Sequence, residues 1–143
     1  METVLKTYDE ISKDEMYQIL RLRAEVFIVE QESPYQDLDD LDQISYHLIA
    51  YENGSIAGYI RIIPEKDDAV HIGRVIAVKR RCGLGTLMMK RAIDFIRKEL
   101  HPAKIEIEAQ SYVKEFYSGL GFVQISDEYV LDRVPHMRME LIL

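Results

Sequence analysis

The chain has no tryptophan, a single cysteine, four prolines and seven glycines in 143 residues. One cysteine excludes an internal disulfide and a cysteine-rich zinc site, and it suits a reducing, cytosolic compartment. No apolar run exceeds four residues (Val75 to Val78 is one), which excludes a membrane-spanning helix. The start, Met1-Glu-Thr-Val-Leu-Lys6, puts an acid at position 2 with no apolar stretch behind it, so no signal peptide is expected. Positive charge is short as well: 18 Lys and Arg stand against 25 Asp and Glu, a formal net charge of −7. That sign argues against a protein built to hold nucleic acid and mildly favours amine-bearing partners.

What remains is ordinary for a folded chain, with 48% apolar and 30% charged residues. The length suits one domain over residues 1–143, with no repeat and no Gly/Ser/Pro-rich linker. Val4 to Tyr8 predicts a first strand. Ser12-Lys-Asp-Glu15 is a capping box, and Met16, Ile19, Leu20, Val26 and Phe27 carry helical spacing to about Val29. Glu30 to Gln43, with Pro34 and the acid-dense run Asp37 to Asp42, reads as loop with a short helix. Asn53-Gly54 between Tyr46–Glu52 and Ser55–Pro64 predicts a hairpin. Val70 to Val78 reads as a strand covered on both faces. A glycine-bearing turn then leads into a long helix that ends by His101, before Pro102. Lys104 to Ala109 predicts a strand and Val113 to Leu120 a short helix. Phe122–Ile125 and Met137–Leu143 predict the last strands, with Tyr129 to Pro135 irregular. This order is that of an α/β mixed sheet flanked by helices.

The segment Val75 to Met88 carries the chemistry. A buried strand ends, a turn supplies Gly83 and Gly85, and a helix starts at once. The first N–H groups of a helix lack intrahelical partners and sit at the positive end of its dipole. Glycines let an anion approach them, and Arg80 and Arg81 add charge, so the turn suits phosphate or pyrophosphate. The triphosphate-binding pattern G-x-x-x-x-G-K-[ST] fails here for want of a Lys-Ser/Thr, and the dinucleotide pattern G-x-G-x-x-G fails at Met88. A plain strand–turn–helix with convenient glycines remains the alternative at this point.

A second segment, Ala109 to Phe122, again sets a strand end before a helix and places Tyr117 inside it. Together the two segments resemble the GNAT family of acyl-CoA-dependent N-acyltransferases. Arg80-x-x-Gly83-x-Gly85 matches the family's [RQ]-x-x-G-x-[GA] loop, and Tyr117-x-x-x-Gly121-Phe122 matches its Tyr-x-x-x-Gly-Phe signature. The spacing between them leaves room for one helix and one strand. Arg21-Leu-Arg-x-Glu-Val-Phe-Ile-Val-Glu-Gln31, Pro34-Tyr35, Asp39, His47-Leu48 and Pro135-His136 look like the ElaA-like branch of that fold. The pattern Arg23, Val26, Phe27 is also similar to acyl-homoserine-lactone synthases, ranked lower because the chain is short and lacks Trp.

The resemblance implies that acyl-CoA lies in a splay between strands 4 and 5, the strands ending at Val78 and Ala109. Backbone groups of Ile76 and Val78, with Ala77 between them, would pair with the pantetheine, and the Ile76 N–H would stabilise the tetrahedral oxyanion. Arg80 and the backbone of Arg81, Cys82, Gly83, Leu84, Gly85 and Thr86 would hold the pyrophosphate. Tyr117 would be the general acid toward the thiolate, and Gln110 stands where many members have Asn. By the same resemblance the cofactor would be acetyl-CoA, with no metal. The acceptor is a small-molecule or protein amine, with Glu30, Tyr35, Asp37, Asp39 and His136 as candidates to bind it. The base stays open among Glu106, Glu108, His47 and His136. A homodimer is admitted as a partner state; nucleic acid and membrane are not. Cys82 is a small loop residue rather than a nucleophile, since no His follows to activate it. Transfer of an acetyl group stands against a GNAT-fold module that binds CoA without turnover.

Overall fold

Asn53 and Gly54 both adopt positive φ, 53° and 79°, and close the predicted two-residue turn with Glu52 opposite Ser55. The computed structural model describes residues 1–65, 67–80 and 82–143. From the N-terminus come β1 (Glu2–Thr7), α1 (Lys13–Arg23), β2 (Tyr46–Glu52), β3 (Ser55–Pro64) and β4 (Ala69–Ala77). There follow α2 (Leu84–Phe95), β5 (Lys104–Gln110), α3 (Lys114–Gly119), β6 (Val123–Gln124), β7 (Tyr129–Leu131) and β8 (Val134–Ile142). The Ser12 cap forms as the sequence predicts: the Glu15 N–H donates to Ser12 Oγ, and the Ser12 N–H donates back to the Glu15 carboxylate.

One sheet runs in the order β1-β2-β3-β4-β5-β8-β6, with β7 also on β8. All pairs are antiparallel except β4 with β5. Alternation along the strands builds two layers of core. Ile60, Ile62, Ile72, Ile105, Ile107 and Met139 pack under Leu84, Met88, Met89, Ala92 and Ile93 of α2. On the opposite face Ile49, Tyr59 and Ile76 pack under Ile19 of α1. Central strands covered on both sides have no polar face to expose, hence the near-continuous apolar runs.

Two expectations need correction. Tyr129 to Pro135 is no irregular stretch: β7 and the start of β8 form a hairpin whose turn residues, Asp132 and Arg133, both take positive φ. Asp-Arg lacks the glycine that normally announces such a turn, so the pattern hid it. The first helix does reach the predicted end, but beyond Arg23 it widens into π-type turns over Ala24–Glu30.

Candidate active site

β4 and β5 are paired only where Ala69–His71 meet Lys104–Glu106. Beyond that point they part, as expected of strands 4 and 5, and the opening becomes a cleft of about 760 Å³. Its walls include Ile76 to Arg80, Gly83 to Thr86, Gln110 and Tyr117, together with Glu30, Tyr35 and His136. Cys82 and Asp39 do not line it. Arg81 lies outside the described residues.

A bulge decides which backbone groups of β4 face this opening. Arg61 pairs with Gly73 but Tyr59 pairs with Ile76, so β4 carries one extra residue, at Arg74, whose φ is 52°. Before the bulge the Ala69 carbonyl accepts from the Glu65 N–H, toward the β3 side. Regular alternation from there would turn Ile76 and Val78 to the open edge. After the bulge the Val78 N–H instead donates to the Ala57 carbonyl at 2.9 Å. Ile76, two residues back in the same register, faces β3 as well. The expectation for Ile76 and Val78 is therefore corrected by one position. Ala77 presents its N–H and C=O to the cleft.

The start of α2 has the predicted form. Gly83 caps it at φ 82°, in the left-handed region. Among the described residues the Leu87 N–H is the first to find an intrahelical acceptor, Gly83, and the N–H groups of Leu84, Gly85 and Thr86 have none at the positive end of the helix. The Leu84 side chain belongs to the core, so only its backbone is available. Gly85 serves a second purpose: a Cβ there would stand 3.3 Å from Phe116, so its absence lets α3 pack against the first turn of α2. Arg80 is exposed and forms an ion pair with Glu30 at 3.4 Å. The Cys82 thiol is exposed and donates to the Lys79 carbonyl.

The Tyr-x-x-x-Gly-Phe signature proves to be a helix stop. The Phe122 N–H donates to the Tyr117 carbonyl and the Gly121 N–H to Ser118, with Gly121 at φ 100°. That is a Schellman cap, and its apolar contact is the Tyr117–Phe122 ring pair, 5.9 Å between centroids. Tyr117 is thus locked in place, 8% exposed, on the cleft wall. Burial, with a smaller push from Tyr112, raises its phenol well above the ordinary tyrosine range. Gln110 is paired with Gln31 by two reciprocal amide hydrogen bonds, 3.0 and 3.1 Å, which tie the end of β5 to the end of the first helix.

The acidic loop has a structural task. Arg23, 0% exposed, donates to Asp37 at 3.0 Å and to Asp42 at 2.6 Å. Arg61 grips Asp39 through both guanidinium nitrogens (2.8 and 2.7 Å) and reaches Asp42. Arg74, the bulge residue, donates to Asp37 at 2.8 Å and lies over the Tyr35 ring. Asp37 and Asp39 are therefore occupied by arginines, and their expected role with a cationic acceptor is corrected. Tyr35 stays on the cleft wall, but its hydroxyl donates to Asp37. His136 also lines the cleft, stacked on Tyr129 with Nδ1 on the Val134 carbonyl. Of the base candidates, His47 has both ring nitrogens bonded, to Tyr59 and the Asp42 carbonyl. Glu106 pairs with Lys104, and Glu108 accepts from Tyr129. Sequence reasoning missed the network, although an Arg inside each apolar strand (Arg61, Arg74) is a signal that a carboxylate must come to meet it. It also passed over His71, on the cleft wall at the fork.

This network predicts acid sensitivity. Burial alone would raise the Asp39 carboxyl, but the hydrogen bonds and charge of Arg61, with Leu41 N–H and Arg74, outweigh it and hold it at about 2. Asp42 is lowered likewise. A carboxyl lowered on folding contributes stability above its unfolded value (about 3.9) that is lost as pH falls through the folded one. The urea midpoint should stay level above about pH 5 and decline steadily toward pH 2. A midpoint unchanged across that interval would contradict the pairing.

Residues 7–143 match the family model of the acetyltransferase (GNAT) domain. The chain belongs to the GNAT acetyltransferase family. Among its relatives, ElaA of Escherichia coli is 33% identical over 138 residues, covering 92% of this chain and 90% of ElaA. A UPF0039 protein of Schizosaccharomyces pombe is 35% identical over 145 residues, 99% of this chain and 97% of that protein. The crystal structure of E. coli ElaA superposes with a TM-score of 0.93 at 30% identity, covering 98% of this chain and 99% of that one. An acyl-CoA N-acyltransferase from Pseudomonas aeruginosa gives 0.89 at 33% identity, with the same coverage. These likenesses set the GNAT member in the ElaA-like branch, with the acyl-CoA N-acyltransferase fold. The CoA-dependent acyl-homoserine lactone synthase BjaI shares the fold at 16% identity and a TM-score of 0.79. Among the described residues no helix is long and apolar enough to cross a membrane, and no group of three metal-ligating side chains occurs.

Proposed function

We propose that residues 1–143 form one N-acetyltransferase domain that moves an acetyl group from acetyl-CoA directly to a primary amine of a small molecule or protein, in the cytoplasm. The observation that carries this reading is the fork between β4 and β5. It brings an edge amide, a helix start whose cap has no side chain and a locked phenol onto one cleft.

The donors suit an acyl-CoA. The N–H groups of Leu84, Gly85 and Thr86 bind the pyrophosphate, with Arg80 adding charge at the rim. Ala77 offers strand-type hydrogen bonds to the pantetheine amides, and an edge N–H of β4 nearer the fork polarises the thioester carbonyl. Tyr117, kept protonated by burial, gives its proton to the departing thiolate. Gln110, held by Gln31, borders the acyl end.

Two measurements test the proposal. Thiol release from acetyl-CoA should depend on an added amine across a panel of alkylamines, diamines and lysine peptides; binding without release would favour the module that holds CoA without turnover. Gly83→Asp puts a carboxylate at the helix start, and a Cβ there meets nothing within 4 Å among the described residues. CoA affinity by calorimetry should fall about tenfold or more, beyond the effect of Gly83→Ala, which carries the backbone strain without the charge. Equal affinities for the two variants would remove the pyrophosphate from this turn.

A further inference from the structure

We propose that His71 is the general base of the transfer, taking the proton that the acceptor nitrogen sheds as it attacks the thioester; this rests on the transferase reading above. His71 is the last residue of β4 still paired with β5, opposite Glu106, so its half-buried imidazole stands at the vertex of the fork. It lines the same cleft as Ala77 and Tyr117. Among the described residues its ring nitrogens make no hydrogen bond and no ion pair. The other histidines are committed or elsewhere. His47 is fully buried with both nitrogens used, His136 lines the cleft at the Gln110 end of β5 and not at the fork, and His101 lies in an exposed turn beyond α2.

The surroundings suit a base. Burial favours the neutral ring, and Arg61 of β3 acts in the same direction. Glu65 at the end of β3, with Glu106 and Glu108 of β5, acts oppositely, favouring the imidazolium that forms during reaction. Glu108, on the cleft wall beside His71, also favours an amine over an anion as the group that arrives there.

The step balances as follows. The amine lone pair attacks the thioester carbon, a C–N bond forms, and the surplus proton on nitrogen passes to a ring nitrogen of His71. Collapse breaks the C–S bond, the sulfur takes the electron pair and then the Tyr117 proton, and solvent returns a proton to Tyr117 while removing one from His71. The products are an amide and free CoA thiol.

The test compares wild type, His71→Gln and His71→Ala on whichever amine of the panel gives turnover, with acetyl-CoA affinity measured for each. Both variants should lose roughly 10²–10⁴-fold in kcat/KM, the usual worth of a positioned base, while affinity for acetyl-CoA stays within about twofold. The wild-type profile should show an acid limb, on the acid side of the ordinary imidazole range, that His71→Gln lacks. Added imidazole should restore His71→Ala at least about tenfold. A His71→Gln enzyme as active as wild type overturns the base and leaves the transferase reading standing. Loss of affinity in step with turnover, without rescue by imidazole, also overturns it. A wild type that binds acetyl-CoA and acetylates nothing in the panel overturns both.

Discussion

Replacing Tyr117 with Phe is expected to lower acetyl transfer by roughly 10²–10⁴-fold while leaving CoA affinity nearly unchanged. The ring packs against Phe116 and Phe122, at 5.0 and 5.9 Å between centroids, and Phe keeps both contacts. The helix stop depends on the Tyr117 carbonyl and on Gly121, which the substitution does not touch. Only the hydroxyl is lost. Because burial holds that hydroxyl protonated throughout the neutral range, the variant removes a proton donor and not a charge. Steady-state transfer and calorimetric affinity for the two proteins separate the roles. Equal turnover would reduce Tyr117 to a core residue and leave the thiolate to be protonated by water.

The second large effect concerns the fold. Asp42→Ala should destabilise the protein by about 3 kcal/mol or more, because it removes the carboxylate that two buried guanidiniums share and leaves Arg23 to Asp37 and Arg61 to Asp39 alone. One carboxylate oxygen of Asp42 accepts from Arg23 at 2.6 Å and from Arg61 at 3.1 Å, and Arg23 is 0% exposed. Neither guanidinium has water to fall back on at that position. Against a total stability of about 5–15 kcal/mol, such a loss is a large fraction. The urea midpoint should drop with an unchanged slope. Asp42→Asn, which keeps the shape and one acceptor, should cost less. A loss below about 1 kcal/mol for Asp42→Ala would mean that the network is no stronger than a surface pair.

The sequence was informative where a physical demand falls on neighbouring residues. Ser12 and Glu15 announce a helix start because both halves of the cap lie within one turn. Asn53-Gly54 announces a turn because both residues tolerate positive φ. Gly83, three residues after Arg80, marks a helix N-terminus for the same local reason. Tyr117, Gly121 and Phe122 are legible as a unit because a Schellman cap needs that spacing. The Asp132-Arg133 turn escaped because positive φ there is imposed by pairing across the hairpin and not by the residues themselves.

Local chemistry in the sequence alone thus determined the order of elements, the mixed sheet, the glycine-capped helix start and the position of Tyr117. Tertiary structure decided which backbone amide of β4 meets the cleft, since a single extra residue at Arg74 moves it from Ile76 to Ala77. It also decided the fate of the acidic loop. Asp37, Asp39 and Asp42 look like a solvated or cation-binding run until Arg23, Arg61 and Arg74, from three separate elements, converge on them. The fork placed His71 beside the cleft in the same way. Each of these depends on residues far apart in the chain. A bulge is defined by the partner strand, and a buried charge by whatever arrives to neutralise it, so neither can be read from a run of neighbours.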